Sequence, residues 1–168
     1  MNPSAATAEE LLALANERQS AGDAAAALAA YQRALPLLTR EAQPHARARA
    51  LFQMAQLARM EGDVARAFVF YDELLPLAYD IGDQRAHGLG VAMRGQLVFL
   101  QGDKTAGLQA MIRGLAELRG CNAAEAEHLT CHTRFFSRRL PRAEFEQCVH
   151  TATEDAELRR LLLGGDGC

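Results

Sequence analysis

The sequence predicts an all-α protein built from antiparallel helix hairpins, and three observations predict it. Alanine is abundant while threonine and isoleucine are scarce and tryptophan is absent, a bias toward helix and away from strand. The dipeptide Gly-Asp recurs at Gly22-Asp23, Gly62-Asp63 and Gly102-Asp103, at intervals of 62 − 22 = 40 and 102 − 62 = 40 residues. On either side of each Gly-Asp, apolar residues recur three and four apart, as in Leu11, Leu14 and Ala15, then Ala27, Leu28, Tyr31, Ala34, Leu35 and Leu38, which is the spacing of one helix face.

The elements follow in order. Helices are expected over about 8–21, 24–39, 45–61, 64–80, 84–101, 104–119, 123–139 and 142–163. Each glycine just past a helix can adopt the left-handed conformation that closes it. Each aspartate that follows can cap the next helix by accepting from its free N–H groups. Further columns keep the same register: Leu11, Leu51 and Val91; Ala15, Ala55 and Gly95; Ala27, Ala67 and Gly107; Tyr31, Tyr71 and Met111; Leu35, Leu75 and Leu115. The small residues of these columns let the two helices of a hairpin approach closely, and the tyrosines are large plugs between neighbouring hairpins. A single hairpin cannot bury its own apolar face, so hairpins at a fixed period stack.

This pattern resembles the tetratricopeptide repeat (TPR) family. The family's small, glycine, small, aromatic, small signature maps onto Ala15, Gly22, Ala27, Tyr31 and Ala34, and again onto Ala55, Gly62, Ala67 and Tyr71; a degenerate third copy has Gly95, Gly102, Gly107, Met111 and Gly114. The period of 40 residues, and the linker Asp80-Ile81-Gly82-Asp83, are similar to its longer-linker members. The resemblance covers about residues 8–120 and implies one domain over 1–168, a right-handed α-solenoid of three TPR-like repeats (about 8–39, 45–80 and 84–119). Residues 122–163 read as a degenerate hairpin capping the stack, with Asn122 as the N-cap of its first helix, and the tail Gly164–Cys168 as frayed. Three features depart from the family pattern. Arg18 and Arg94 occupy apolar positions, and Pro36 and Pro76 recur within the second helix of repeats one and two, where proline bends a helix. Five glycines in repeat three (Gly88, Gly90, Gly95, Gly107 and Gly114) each cost up to ~1 kcal/mol in a helix interior, so that hairpin is expected to be the least stable.

The composition bears on function. The chain has 168 residues, 49% hydrophobic and 23% charged, with net charge −3: a globular chain with no general drive toward nucleic acid or anionic membrane. No apolar run approaches the ~18 residues of a membrane span, and the N-terminus lacks the blocks of a signal peptide. A cytoplasmic location is expected, with Cys121, Cys131, Cys148 and Cys168 as reduced thiols. His128 and His132 lie four apart near Cys121, Cys131, Cys148 and His150, but no Cys-x-x-Cys pair and no intervening acidic residue completes a zinc pattern. Cys131 and His132 are adjacent in sequence and so diverge on a helix. No phosphate loop, nucleophile elbow or dinucleotide fingerprint is present. Neither an enzyme nor a cofactor is expected.

In tetratricopeptide folds the first helix of each hairpin lines a concave groove. By position, the resemblance implies Glu9, Leu12, Asn16 and Gln19 from repeat one. Repeat two would supply Arg49, Phe52, Gln56 and Arg59, and repeat three Leu89, Ala92, Gln96 and Phe99. At the positions of the family's carboxylate clamp stand Leu12, Asn16, Gln53, Leu89 and Met93, which do not reproduce it. The expected function is protein–protein interaction, the groove taking a partner's peptide or helix, with self-association as the first alternative and a metal-binding C-terminal hairpin as the second. Asn16, Gln56 and Gln96 share one repeat position and predict an amide ladder flanked by Phe52 and Phe99 as apolar anchors. A secondary basic patch is expected at Arg134, Arg138 and Arg142, four apart. Nucleic acid, membrane and small-molecule substrates are not expected as partners.

Overall fold

The computed structural model describes residues 6–164; Met1–Ala5 and Gly165–Cys168, and with them the Cys168 thiol and most of the tail, lie outside the described residues. The described residues are all-helical with no strand. The helices are α1 (Ala8–Ser20), α2 (Ala24–Ala34), α3 (Pro44–Met60), α4 (Val64–Asp80), α5 (Gln84–Leu100), α6 (Lys104–Gly120), α7 (Glu125–Ser137), α8 (Arg142–Ala152) and α9 (Ala156–Leu163). No helix among the described residues is long and apolar enough to cross a membrane. The chain divides into two compact units, Met1–Asp83 and Gln84–Cys168, with α1–α4 in the first and α5–α9 in the second.

The turns carry the local logic. Gly22, Gly62, Gly82 and Gly102 have φ of 79°, 80°, 68° and 111°, a left-handed backbone that glycine adopts without a Cβ penalty. At Gly22 the next N–H, that of Asp23, donates to Arg18 O at 2.9 Å, and the glycine N–H donates to Gln19 O at 3.0 Å. This paired closure satisfies the last carbonyls of the helix, and it recurs around Gly62, Gly82 and Asn122. Asn122, with φ 53°, therefore closes α6 and does not cap α7. The N-cap of α7 is Ala124, with no side-chain hydrogen bond, and α7 starts at Glu125. Asp23, Asp63 and Asp103 each accept from the backbone N–H three residues on, at 3.0 Å. Thr7 and Glu10 form a reciprocal capping box on α1.

In the first unit, α1 packs on α2, α3 on α4, and α2 on α3. Ala15, Ala27, Ala55 and Ala67 are fully buried. The two register-related prolines behave differently. Pro76 lies inside the continuous helix α4. At Pro36 the α-helix has already ended at Ala34, and a short 3-10 turn, Leu35–Leu37, replaces the expected last turn. The carbonyls loosened there are taken up by Arg47 on α3, whose Nη1 donates to Leu35 O at 2.9 Å and Leu38 O at 2.8 Å. The same guanidinium donates through Nε to Glu73 on α4 at 3.1 Å, tying three elements together. Arg40 and Asp80, forty residues apart, pair at 2.9 Å.

In the second unit, α6 is central: α5, α7 and α8 pack on it, and α9 packs on α8. Gly88 and Gly95 of α5 and Gly107 and Gly114 of α6 form the contact surface between these helices. A Cβ on Gly107 would fall 2.4 Å from Phe99 N, one on Gly114 2.4 Å from Gly88 O, and one on Gly95 2.8 Å from Gly107 O. The propensity cost of these glycines is thus offset by close backbone approach, which the expectation of a weak third hairpin left out. The expected last helix, 142–163, is broken at Thr153–Asp155 into α8 and α9. Asp155 caps α9 by accepting from Leu158 N at 3.0 Å, and Arg159 Nε donates to Thr153 O at 2.7 Å.

Candidate functional site

A cleft of about 500 Å³ opens in the first unit between α1 and α3. It is lined by Glu9, Leu12, Ala13 and Asn16 from α1, by Ala46, Arg49, Ala50 and Gln53 from α3, and by Tyr31 from α2. Small side chains at 46 and 50, one turn apart on α3, leave the space open. A polar network runs beside it. Tyr31 donates its hydroxyl to Asn16 Oδ1 at 2.6 Å, with Gln19 Oε1 at 3.2 Å, and Gln19 Nε2 donates to Gln53 Oε1 at 3.0 Å. Burial pushes the Tyr31 phenol above its ordinary range, and the positive charge of Arg49 partly opposes this. The Tyr31 hydroxyl is therefore a neutral donor that holds the carbonyl oxygen of the Asn16 carboxamide.

The structure brings Leu12, Asn16 and Arg49 of the expected groove together in this cleft. Phe52, Gln56 and Arg59 do not line it. Phe52 is half-buried, its ring edge-on to Tyr71 at 6.4 Å between centroids. Gln56 accepts from Arg59 Nε at 3.0 Å. In the second unit Leu89 packs against the core and Gln96 is only 8% exposed. Phe99 is a core residue, 3% exposed, with its ring edge-on to Phe136 of α7 at 5.0 Å. It is not the open anchor the sequence suggested, because α7 covers that part of α5. The three amides of the expected ladder thus sit in three environments: Asn16 held by Tyr31, Gln56 held by Arg59, and Gln96 buried.

The cleft residues that position alone did not assign to a groove are Ala13, Tyr31, Ala46 and Ala50. The i, i+4, i+7 spacing of Ala46, Ala50 and Gln53 was readable, but which face of α3 stays open was not.

Tyr71, the register equivalent of Tyr31, is fully buried, yet its hydroxyl has no hydrogen-bond partner. Burial drives its pKa strongly upward, against the smaller opposing effect of Arg59.

The basic patch at Arg134, Arg138 and Arg142 does not form one stripe, because α7 stops at Ser137 and Arg142 begins α8. Arg134 donates through Nη2 to the carbonyls of Leu161 and Gly164, and Arg142 donates to Leu163 O at 2.9 Å and to Glu146 at 2.6 Å. These two arginines close the C-terminus of α9, where positive charge and donors suit the free carbonyls. Arg138 alone of the three is left exposed without a side-chain partner among the described residues. Among the described residues no group of three or more His, Cys, Asp or Glu side chains could hold a metal ion. His128 and His132 instead stack, 6.2 Å between centroids. Cys121 and Cys148 are free thiols. No family model matches this sequence, and comparison with curated proteins yields no match.

Proposed function

We propose that the chain is a TPR-like helical-repeat interaction module and that the α1–α3 cleft of its first unit receives an extended peptide of a partner protein. The observation that carries this reading is the cleft itself. It juxtaposes an apolar wall (Leu12, Ala13, Ala46, Ala50) with amide donors and acceptors (Asn16, Gln53), a cation (Arg49) and an anion (Glu9). Amides satisfy both N–H and C=O groups of an extended backbone, and the charges set polarity.

The repeat reading has support of its own. Closures of one kind recur at 22, 62, 82 and 122. Residues forty apart pair within each unit, Arg40 with Asp80 and Arg85 with Glu125, as side-by-side stacking of equivalent positions requires.

The test is affinity capture from native lysate with the wild-type chain and with Leu12→Arg and Arg49→Glu. Loss of one and the same captured protein in both variants, with unchanged circular dichroism, is expected. A partner retained by both variants refutes the cleft. A self-associating module, the alternative, would show a mass of two or more chains in light scattering.

A further inference from the structure

We infer that the exposed face at the C-terminal end of α7, built from Phe135, Arg138 and Arg139, is a second docking surface, for an acidic protein segment that carries an apolar side chain. Phe135 is 51% exposed, a large ring left in water at the end of a helix. The guanidinium of Arg139 lies over it at 4.9 Å and over Phe136 at 5.2 Å, the geometry of cation–π attraction. Phe136 is itself anchored: it is buried, stands edge-on to Phe99 at 5.0 Å and receives the ring of His132 at 5.0 Å. The cation is therefore held in place by a ring that belongs to the core, and part of the ordering cost of binding is already met.

Charge decides the class of partner. From His128 to Ala143 the chain carries four arginines and two histidines and no acidic residue, within a chain of net charge −3. Two of the four arginines, Arg134 and Arg142, are turned toward the end of α9. Among the described residues neither Arg138 nor Arg139 makes a side-chain ion pair or hydrogen bond. The Arg139 guanidinium over an exposed phenylalanine, with the exposed Arg138 three residues on from that phenylalanine, complements carboxylates flanking an apolar side chain. Two cations at one helix end do not form the track that neutralises successive phosphates along a nucleic acid, so a protein segment is the occupant favoured.

The experiment is selection of a random-peptide display library on the full chain, followed by fluorescence anisotropy with the most enriched peptide. Enriched sequences should combine two or more Asp or Glu with an aromatic or aliphatic residue, and higher salt should weaken their binding. Phe135→Ala and Arg138→Glu should each weaken binding about tenfold or more. Both positions are exposed, so the circular dichroism of these variants should match wild type, and Arg113→Ala, an exposed change on α6, should bind like wild type. Enrichment without an acidic bias, no enrichment, or unchanged affinity in both variants would overturn the inference. So would binding of single-stranded oligothymidine in preference to the acidic peptide.

Discussion

Replacing Tyr71 by phenylalanine should stabilise the protein, whereas the same change at Tyr31 should destabilise it. The two side chains stand forty residues apart in the sequence and are 0% and 2% exposed, so their rings do similar packing work. Only their hydroxyls differ. Tyr31 donates to Asn16 at 2.6 Å. Losing one such bond, with an exposed acceptor that water can reach, costs about 1 kcal/mol. The Tyr71 hydroxyl is buried with no partner, and a buried unsatisfied group carries a penalty of ~1–3 kcal/mol that phenylalanine removes. The ring contact with Phe52 at 6.4 Å survives the change. The two variants should therefore differ by about 2–4 kcal/mol, on the order of 2–4 °C in Tm per kcal/mol for a chain of this size. Urea and thermal unfolding followed by far-UV circular dichroism measure both. If Tyr71→Phe loses as much stability as Tyr31→Phe, the Tyr71 hydroxyl is bonded and the reasoning is wrong. Tyr71→Ala, which leaves a cavity, should cost about 3–5 kcal/mol.

Gly114→Ala should destabilise by about 1–3 kcal/mol despite alanine's better helix propensity, because the new Cβ meets backbone that cannot yield. Gly120→Ala, at a site with nothing within 4 Å, should be neutral or stabilising by a few tenths to ~1 kcal/mol; the denaturant midpoints of the pair check both. Asp155→Ala should cost about 1 kcal/mol through loss of the α9 cap, seen as faster amide hydrogen exchange in 156–163 before the rest of the second unit. The hydrogen bond from Arg85 holds the Glu125 carboxyl below its ordinary range. A carboxyl lowered on folding contributes stability above its unfolded pKa and loses it as pH falls through the folded value. Glu125→Gln should therefore flatten the acid limb of a stability–pH curve, and an unchanged acid limb would count against the pair.

The apolar spacing of three and four and the Gly-Asp turns were enough to place helices over 8–20, 64–80, 84–100 and 104–120 almost to the residue, because those signals are local: a left-handed glycine and an aspartate cap act within one turn of chain. The same local reasoning overran at Pro36, where Arg47, nine to twelve residues on, supplies the carbonyl partners that let the helix stop early. It overran again at Thr153–Asp155. It misread Asn122, since asparagine can either cap a helix or close one from the left-handed region. The candidate site was half legible. Leu12, Asn16 and Arg49 were expected there from the TPR resemblance and line the α1–α3 cleft, but which face of α3 opens beside α1, and that Phe99 packs against Phe136 of α7, depend on packing between distant segments.

By itself, then, the sequence determined the all-helical class and the forty-residue rhythm of its turns, through short-range backbone preferences. The tertiary structure alone decided that the glycines of α5 and α6 are a contact surface, that Arg134 and Arg142 close α9, and that Arg138 and Arg139 are left to face outward. For the glycines and for Arg134 and Arg142 the deciding partner lies on another helix, beyond the reach of any local pattern.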